Sequence, residues 1–341
     1  MQPVYRVSRA RKALIGLLSC YPLLVLGLAA IHLLAPQRSG ALALSQIFAP
    51  YLFVPLPALL PFALLRGAGP LRVLLLLCAL VFGVRYAPRL VPTATAAPPG
   101  ATQVEVMNWN VRLGGQWDQV RPVLLSRPAD VITLEEITWR RLVDDKMLVQ
   151  LYPYHVVYQP AYGNSEVLLS AYPILDQGAL DPEGTEGPPP RMVWARLDLG
   201  EGRTLVVVGA HPYTAKINLR ACPRTRCYDP STRDAQIARI RAFFEPILQQ
   251  GEPLIVSGDF NVTEREPAYA DLARGLLAVQ RQVGWGLGLS WGMDPTKNQP
   301  IPWLRIDHMF SSPNVTPVRT SVDCTLRGSD HCIVHGTFAV P

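Results

Sequence analysis

The first 104 residues of this 341-residue chain contain neither aspartate nor glutamate. The same stretch carries nine lysines and arginines, which leaves 23 basic residues against all 26 acidic ones in the remainder. The net charge of +6 therefore combines +9 near the N-terminus with −3 over the rest of the chain. Because a weakly acidic body is not attracted to a polyphosphate backbone, the positive net charge does not indicate a nucleic-acid-binding protein.

The six cysteines include no CxxC pair. Two of them lie in apolar segments, and the other four form two close pairs, Cys222 with Cys227 and Cys324 with Cys332. Without CxxC spacing or a further cluster of ligands, a zinc site is the weaker interpretation. Short-loop pairs are typical of disulfides in an oxidising compartment, although spacing alone leaves chance pairing in a reduced domain open.

Three apolar runs, at about 13–35, 44–65 and 70–86, predict a membrane anchor of two or three transmembrane segments within residues 1–86. The first run is long enough to cross a bilayer, with a secretory signal peptide as the alternative. Four prolines interrupt the second run and would kink it or leave part of it re-entrant. In the third, only twelve uncharged residues separate Arg72 from Arg85, so the number of spans stays open.

The compartment of the remaining chain depends on that number. Basic residues before the first run predict a cytoplasmic N-terminus, so three spans would place the later chain outside and two would keep it inside. Residues 87–103 are rich in proline, alanine and threonine and predict a semi-rigid linker. We therefore expect a multi-pass protein of the cell membrane whose domain at 104–341 is extracytoplasmic, as the cysteine pairs also favour.

From residue 104 onward, short runs rich in valine, isoleucine and leucine alternate with turns and a few helices. A helix is predicted over 231–250, with Ser231 as its N-cap and Gly251 as its stop. Near-continuous apolar strands with helices between them predict an α/β fold whose sheets are buried between helical layers. The predicted strands are Val104–Val111, Asp130–Ile137, Tyr154–Tyr158, Val167–Ala171, Val193–Leu199, Thr204–Ala210, Leu254–Gly258, Ile306–Phe310 and Cys332–Val340.

Polar side chains stand at or just beyond the ends of these strands. Each one alone is explained as well by a turn. Together, and without a competing polar cluster, they predict a site at the rim of a sheet, where their side chains can converge. The residues are Asn108, Asn110, Glu135, Glu136, His211, Asp259, Asn261, Asp307, His308, Asp330 and His331.

The order of the motifs resembles the endonuclease/exonuclease/phosphatase superfamily, which has the DNase-I-like fold. That family is marked by an Asn after the first strand, LQE, a strand-end His, GDFN, DH or DY, and a terminal SDH. This chain has "VEVMNWN", "LEE", "GAH", "GDFN", "RIDHMF" and "GSDH" in the same order, over nearly all of 104–341. The resemblance implies a four-layer α/β sandwich, two stacked mixed sheets flanked by helices, and a metal-dependent phosphatase or phosphodiesterase.

Carried onto the matching positions, the resemblance implies a Mg²⁺ or Mn²⁺ site with Glu136 as the main ligand and Asn110 and Asp330 nearby. This chain departs from the family in "LEE", where Glu135 is an extra acid. Either Glu135 points elsewhere or the metal site is more acidic than usual. Pro212 replaces the common leucine after the strand-end histidine, so the following loop is expected to be reshaped.

The resemblance also implies five catalytic residues. His331 acts at the attacking water or the phosphoryl oxygens and is oriented by Asp307. Asp259 helps to activate the water, Asn261 binds a phosphoryl oxygen, and His211 stabilises the charge of the transition state from a second direction.

Three further residues match the family less directly. Glu166, in "GNSEVLLSAYPI", lies in a region where some branches carry another catalytic acid. Arg233 and Gln236 also fit a family pattern, and the alternative is that they face solvent from the predicted helix.

The substrate does not follow from the fold alone, because the superfamily includes nucleases, inositol-polyphosphate phosphatases, sphingomyelinases and membrane-tethered bacterial enzymes. A short linker to an apolar anchor resembles the bacterial members that act on lipid-linked pyrophosphate. We therefore expect a lipid-linked (pyro)phosphate or phospholipid headgroup as substrate. An extracytoplasmic nuclease is the first alternative. An inactive membrane binding module is the second, although the intact GDFN and SDH motifs argue against it.

Overall fold

The computed structural model describes residues 8–86, 95–112, 116–126, 129–158, 165–180, 191–222, 227–325 and 327–341. The chain separates into two compact units. The first contains residues 1–88 with the segments 217–228 and 265–267, and the second contains 89–216, 229–264 and 268–341. Residues 87–94 of the predicted linker lie outside the described residues.

The first unit is built from apolar helices. Among the described residues, only α1 is by itself long and apolar enough to cross a membrane, with a mean hydropathy of 2.3. The second predicted segment is broken at its prolines, because α2 and Ala49–Ala63 meet at 74°. One helix is thus a candidate anchor or signal sequence, and the further spans stay a prediction. The helices are α1 (Arg9–Leu34), α2 (Gly40–Ile47), α3 (Leu60–Ala63) and α4 (Gly69–Arg85), with 3₁₀ turns at Ala49–Phe53 and Leu56–Leu59.

All nine predicted strands are present, each within two residues of its expected bounds. The strands are β1 (Thr102–Asn110), β2 (Val131–Ile137), β3 (Tyr154–Tyr158), β4 (Ser165–Ser170), β5 (Ile174–Ala179), β6 (Met192–Gly200), β7 (Arg203–Ala210), β8 (Lys216–Ile217), β9 (Tyr228–Asp229), β10 (Leu254–Asp259), β11 (Leu277–Ala278), β12 (Asp307–Ser311), β13 (Thr316–Asp323) and β14 (Ile333–Val340).

The predicted long helix is also present, but Ser231 is its first residue and Pro230 occupies the N-cap, so the predicted cap was wrong by one position. The remaining helices are α5 (Trp117–Leu125), α6 (Arg140–Val143), α7 (Lys146–Leu151), α8 (Ser231–Gln249), α9 (Pro267–Leu272) and α10 (Val279–Val283), with 3₁₀ turns at Leu219–Ala221 and Pro295–Lys297.

Two six-stranded mixed sheets form the centre of the second unit. Their strand orders are β13-β14-β1-β2-β4-β3 and β11-β12-β10-β7-β6-β5. Apolar side chains from both sheets, such as Val106 and Val207, share one buried core. Residues of α5 and α7 cover the outer face of the first sheet, and those of α8 cover the second. The predicted arrangement of two stacked mixed sheets with flanking helices is therefore confirmed.

Two parallel strand pairs place the site. β1 runs parallel to β2, and β7 runs parallel to β10, so the carboxyl ends of each pair lie at one edge of its sheet. Asn110 pairs with Glu135 in the first sheet, and Asp259 pairs with Asp307 across β10 and β12 in the second. Sheet stacking then brings these polar ends together.

Both cysteine pairs are joined as disulfides, Cys222 to Cys227 and Cys324 to Cys332. The zinc alternative therefore does not apply to them. Cys20 and Cys78, both in the first unit, are free.

Candidate active site

His331 lies between two buried aspartates. Its Nδ1 is 3.0 Å from Asp307 Oδ2, and its Nε2 is 3.6 Å from Asp259 Oδ2. Burial alone would lower the pKa of His331, but the two carboxylates outweigh burial and raise the pKa to about 10. Burial, partly offset by the charge of His331, raises the pKa of Asp259 to about 6. The three side chains offer ligand atoms within 4.8 Å of one another.

A second imidazole approaches Asp259 from another strand. His211 Nε2 is 3.7 Å from Asp259 Oδ2, while its Nδ1 is 3.3 Å from Glu166 Oε1. Burial would lower the pKa of His211, but Glu166 and, to a smaller extent, Asp259 and Glu136 more than offset this, so the pKa is raised. Asp259 Oδ2 therefore lies between two imidazoles, each held from behind by a different carboxylate.

The three predicted metal ligands fall into two groups. Asn110 Nδ2 is 3.4 Å from Glu136 Oε1 and 3.0 Å from Asp259 Oδ2. The amide nitrogen of Asn110 thus faces Glu136, while its oxygen accepts the backbone N–H of Arg112. Asp330 accepts a hydrogen bond from the indole N–H of Trp291, and its other oxygen is 3.8 Å from Arg112 Nε. Asn110 and Glu136 are brought together, and Asp330 stands beside Arg112 and Trp291.

Asn261, the fifth predicted catalytic residue, lies in the loop after β10. Its backbone N–H donates a hydrogen bond to Asp259 Oδ1 at 3.0 Å. Its side-chain amide donates to the carbonyl of Pro212 at 3.0 Å, and its own carbonyl accepts from Arg233 at 2.8 Å. The amide of Asn261 therefore ties the loop after β10 to the loop after His211.

Glu135 points into the space between the sheets. Its carboxylate accepts a hydrogen bond from Asn108, and the residue is only 2% exposed. Burial, together with the charges of Glu166, Asp307 and Asp259, raises the pKa of Glu135 well above its usual value. A neutral carboxyl group is stable there, because it needs no counter-charge. The extra acid of "LEE" is thus an interior group, distinct from the outward-turned Glu136.

The backbone around the site is strained at several points. Five described non-glycine residues have positive φ, and three of them, Arg112, Glu136 and Asn261, belong to this region. Such conformations cost of order 1–3 kcal/mol each and concentrate at functional sites. Gly258, with φ of +153°, precedes Asp259, and a Cβ at this position would meet the carbonyl oxygen of Ala210 at 1.9 Å. Any side chain there would push β7 and β10 apart.

Several residues support the site through contacts that the sequence did not predict. Ser290 donates to Asp307 Oδ2 at 2.6 Å, and Trp291 pairs through its backbone with His331. Arg233 and Gln236 are buried rather than facing solvent. Gln236 accepts the backbone N–H of Tyr213 at 2.7 Å. Both residues of α8 thereby hold the loops that carry site residues.

His308 lies outside the site, although sequence placed it at a strand end. Its Nε2 is 2.8 Å from the carbonyl oxygen of Val262, and its ring packs against Phe260, Tyr269 and Phe310. Burial, reinforced by the positive charge of Arg305, lowers the pKa of His308 from 6.5 to about 3. His308 is therefore a neutral core residue near physiological pH.

Acid should destabilise the fold through His308. The unfolded chain binds a proton below pH 6.5 that the folded chain excludes until about pH 3, so stability falls as pH decreases through this window. In His308→Gln, which retains a donor for Val262, the loss of unfolding free energy between about pH 6.5 and 4.5 should be smaller by about 2–3 kcal/mol. Urea unfolding across this range measures it, with the exposed His155→Gln as control. Equal pH slopes in both variants would contradict this assignment.

The fold and the site together define a class of protein. Two stacked mixed sheets carry a rim of carboxylates, amides and two imidazoles, which are groups able to perform acid–base chemistry. The chain belongs to the Endonuclease/Exonuclease/phosphatase family, whose model matches residues 107–331. Phosphoesterases and nucleases make up this family, so hydrolase activity is supported. No curated protein is significantly similar to this sequence.

Solved structures are similar in fold. A family protein from Bacteroides thetaiotaomicron has 18% identity and a TM-score of 0.54, covering 71% of this chain and 99% of its own. The mannosyl-6-phosphatase Bt3783 of the same species has 18% identity and a TM-score of 0.52, covering 69% and 99%. D. rerio TDP2 complexed with a single-strand DNA product has 19% identity and a TM-score of 0.52, covering 70% and 100%. At these identities the likeness shows the fold alone.

Proposed function

We propose that the protein is a membrane-anchored, divalent-metal-dependent phosphoester hydrolase of the membrane-tethered bacterial branch. Its proposed substrate is a lipid-linked (pyro)phosphate or phospholipid headgroup. The proposed hydrolase activity rests on the position of Asp259 Oδ2, which is 3.6 Å from His331 Nε2 and 3.7 Å from His211 Nε2. A water molecule on this carboxylate would meet a proton acceptor and two imidazole donors at the same place.

The residues present fit a hard divalent cation. The charges of Glu166, Asp307 and Asp259 contribute to the raised pKa of Glu135, so acidic side chains are concentrated at this rim, and a cation would offset their repulsion of a phosphate anion. The carboxylates of the site offer oxygens, the ligands that Mg²⁺ and Mn²⁺ prefer. Glu136 would hold the cation, with Asn110 and Asp330 beside it. When bound, the cation would supply positive charge to the phosphoryl oxygens.

The other side chains of the site would orient the imidazoles, accept a proton and bind the phosphoryl oxygens. Asp307 fixes His331 through Nδ1, which leaves Nε2 directed at Asp259 and the substrate. Glu166 holds His211 through Nδ1 in the same way, which leaves Nε2 of His211 directed at Asp259. Asp259 would take a proton from the attacking water, the two Nε2–H groups would donate to phosphoryl oxygens, and Asn261 would contact a further phosphoryl oxygen.

An apolar rim supports the choice of a lipid substrate. The rim segment, residues 285–304, connects α10 to β12 and contacts His331 through Trp291. Trp285, Ile301 and Trp303 on this segment are 70%, 76% and 54% exposed. Tryptophan at an exposed edge is typical of proteins that work at a membrane interface. The apolar helix α1, as a membrane anchor, would tether the chain to a bilayer.

The substrate experiment compares two phosphoesters. The full chain in mixed micelles with Mg²⁺ should release phosphate from a polyprenyl diphosphate with a kcat/KM at least about 100-fold above that for nicking of plasmid DNA, because the acidic body repels the polyanion. Preferential cleavage of plasmid would establish the nuclease alternative. A folded protein that hydrolyses neither these nor a generic phosphodiester would be the inactive binding module.

The same assay tests the rim. In Trp303→Ser, loss of one interfacial indole should raise KM for the micellar lipid about tenfold, with little change for a soluble aryl phosphodiester. Leu175→Ser is the matched control, because Leu175 is 57% exposed on β5, a strand that carries no site residue. Equal effects of both variants would show that the rim has no special role.

The extracytoplasmic placement is proposed from the two disulfides and the distribution of basic residues. Labelling of intact cells with a membrane-impermeant thiol reagent, before and after reduction, should modify Cys222 and Cys324 only after reduction. Free thiols at these positions, protected until the cells are lysed, would place the domain in the cytoplasm.

A further inference from the structure

The disulfide between Cys324 and Cys332 closes the loop that carries two site residues. Cys324 directly follows β13 and Cys332 directly precedes β14, one position beyond the last paired residues of this hairpin, Asp323 and Ile333. His331 and the adjacent Asp330 lie within the closed loop. A covalent link at the base of a loop reduces the conformations that the loop can adopt.

Hydrogen bonds connect the same cysteine to the partner of His331. The backbone N–H of Cys332 donates to the carbonyl of Ser290 at 2.7 Å. The hydroxyl of Ser290 donates to Asp307 Oδ2 at 2.6 Å, and Asp307 is the carboxylate that holds His331 Nδ1. Cys332 is 1% exposed, so this connection is shielded from water. Ser290 therefore connects the backbone next to His331 to Asp307, the carboxylate that orients the imidazole.

The other disulfide differs in each of these respects. Cys222 and Cys227 belong to the first unit, in the segment 217–228, and neither is adjacent in sequence to a site residue. This pair is a matched internal control, since it has the same chemistry and a similarly short loop.

We propose that the Cys324–Cys332 disulfide positions His331 for catalysis, so that turnover depends on the oxidation state of this pair. The inference rests on the proposed hydrolase function. Reduction by a dithiol would transfer two electrons and two protons to the disulfide, giving two cysteine thiols and the cyclic disulfide of the reagent. The loop would then move relative to Asp307 and Asp259, and displacements of about 1 Å cost on the order of 100-fold in rate.

Activity measurements test the position of the imidazole. Cys324→Ala/Cys332→Ala should lower kcat about 30- to 100-fold and change KM less than about threefold, whereas Cys222→Ala/Cys227→Ala should retain wild-type kcat. In a His331→Ala background, Cys324→Ala/Cys332→Ala should lower kcat no further, because the effect of the disulfide passes through the imidazole. A full additional loss in that background, or an unchanged kcat in a folded double variant, would overturn the proposal.

Reversible reduction covers the case in which the double variant does not fold. In the Cys222→Ala/Cys227→Ala protein, dithiothreitol can act only on the Cys324–Cys332 disulfide. Reduction below the melting temperature should give the same fall in kcat, and reoxidation should restore it. A folded, fully reduced protein with unchanged kcat contradicts the proposal.

An NMR measurement tests the positioning role of the disulfide independently of the proposed hydrolase activity. The imidazole ¹H–¹⁵N signals of His331, assigned by comparison with His331→Ala, should shift when the pair is reduced, while those of His155 should not. If the wild type hydrolyses no phosphoester, a shift still supports the positioning role while the hydrolase fails. Unchanged His331 signals would overturn the positioning role whether or not the protein is active.

Discussion

Replacing His331 with alanine should lower kcat for phosphoester hydrolysis about 10³-fold, within the 10²- to 10⁴-fold range of a general acid–base group. Both imidazoles of the site are held by a carboxylate on Nδ1 and face Asp259 through Nε2, but the Nδ1 contact of His331 with Asp307, at 3.0 Å, is shorter than that of His211 with Glu166, at 3.3 Å. Loss of the His331 imidazole leaves Asp259 and Asp307 without the cation that lies between them. Steady-state hydrolysis of a soluble phosphodiester measures the change, because it avoids effects at the lipid surface.

A second variant tests how the imidazole is held. Asp307→Asn keeps the shape of the side chain but removes the negative charge that the imidazolium faces, so kcat should fall by a comparable factor. The His331→Ala/Asp307→Asn double variant should be no slower than the slower single variant, because the two residues act as one unit. The exposed His155→Ala, on edge strand β3, is the control for removal of a histidine. Full activity of folded His331→Ala would exclude the proposed role.

The strands that could be predicted from sequence are the buried ones. β7 and β10 are continuous apolar runs because both faces are covered, one by the other sheet and one by α8. β5 and β13 were not predicted, since both are edge strands with exposed polar residues, and β13 contains Pro317. Edge strands lack a continuous apolar pattern, so their identity follows from the neighbouring strand rather than from their own residues.

The site divides in the same way. Residues at the ends of buried strands, such as Asp259 and His211, could be found because a polar side chain beside an apolar run is visible in sequence. Asp307 and Glu166 could be named from their motifs, but the contact of Glu166 with His211, 45 residues away, and that of Ser290 with Asp307, 17 residues away, could not be predicted, because both arise from tertiary packing. A buried acid also looks the same in sequence as an exposed one. Glu135 and Glu136 differ in environment because successive residues of a strand point to opposite faces and because the backbone turns at position 136, where φ is +59°.

Removal of divalent cations should abolish hydrolysis, and Glu136→Gln should raise the Mg²⁺ concentration for half-maximal activity about 100-fold. The glutamine keeps the size of the side chain and a partner for Asn110 but loses the charge that a hard cation requires. Activity is measured after EDTA treatment and during Mg²⁺ titration, and Mn²⁺ binding by electron paramagnetic resonance gives a readout independent of turnover. Asp176→Asn, an exposed acid on β5, is the control. Hydrolysis unaffected by EDTA would exclude the metal-dependent mechanism.

The Mn²⁺ measurement also decides between two places for the cation. Asp259, Asp307 and His331 are close enough to share one ion. In that cluster, however, the imidazole already lies between both carboxylates, at 3.0 and 3.6 Å, so a cation would have to displace its contacts. Glu136 is more accessible to an ion from solvent, because its side chain is 22% exposed, whereas those of Asp259 and Asp307 are 2% and 1% exposed. We therefore expect Glu136→Gln to weaken Mn²⁺ binding and Asp307→Asn to leave it nearly unchanged, and the reverse result would move the metal to His331.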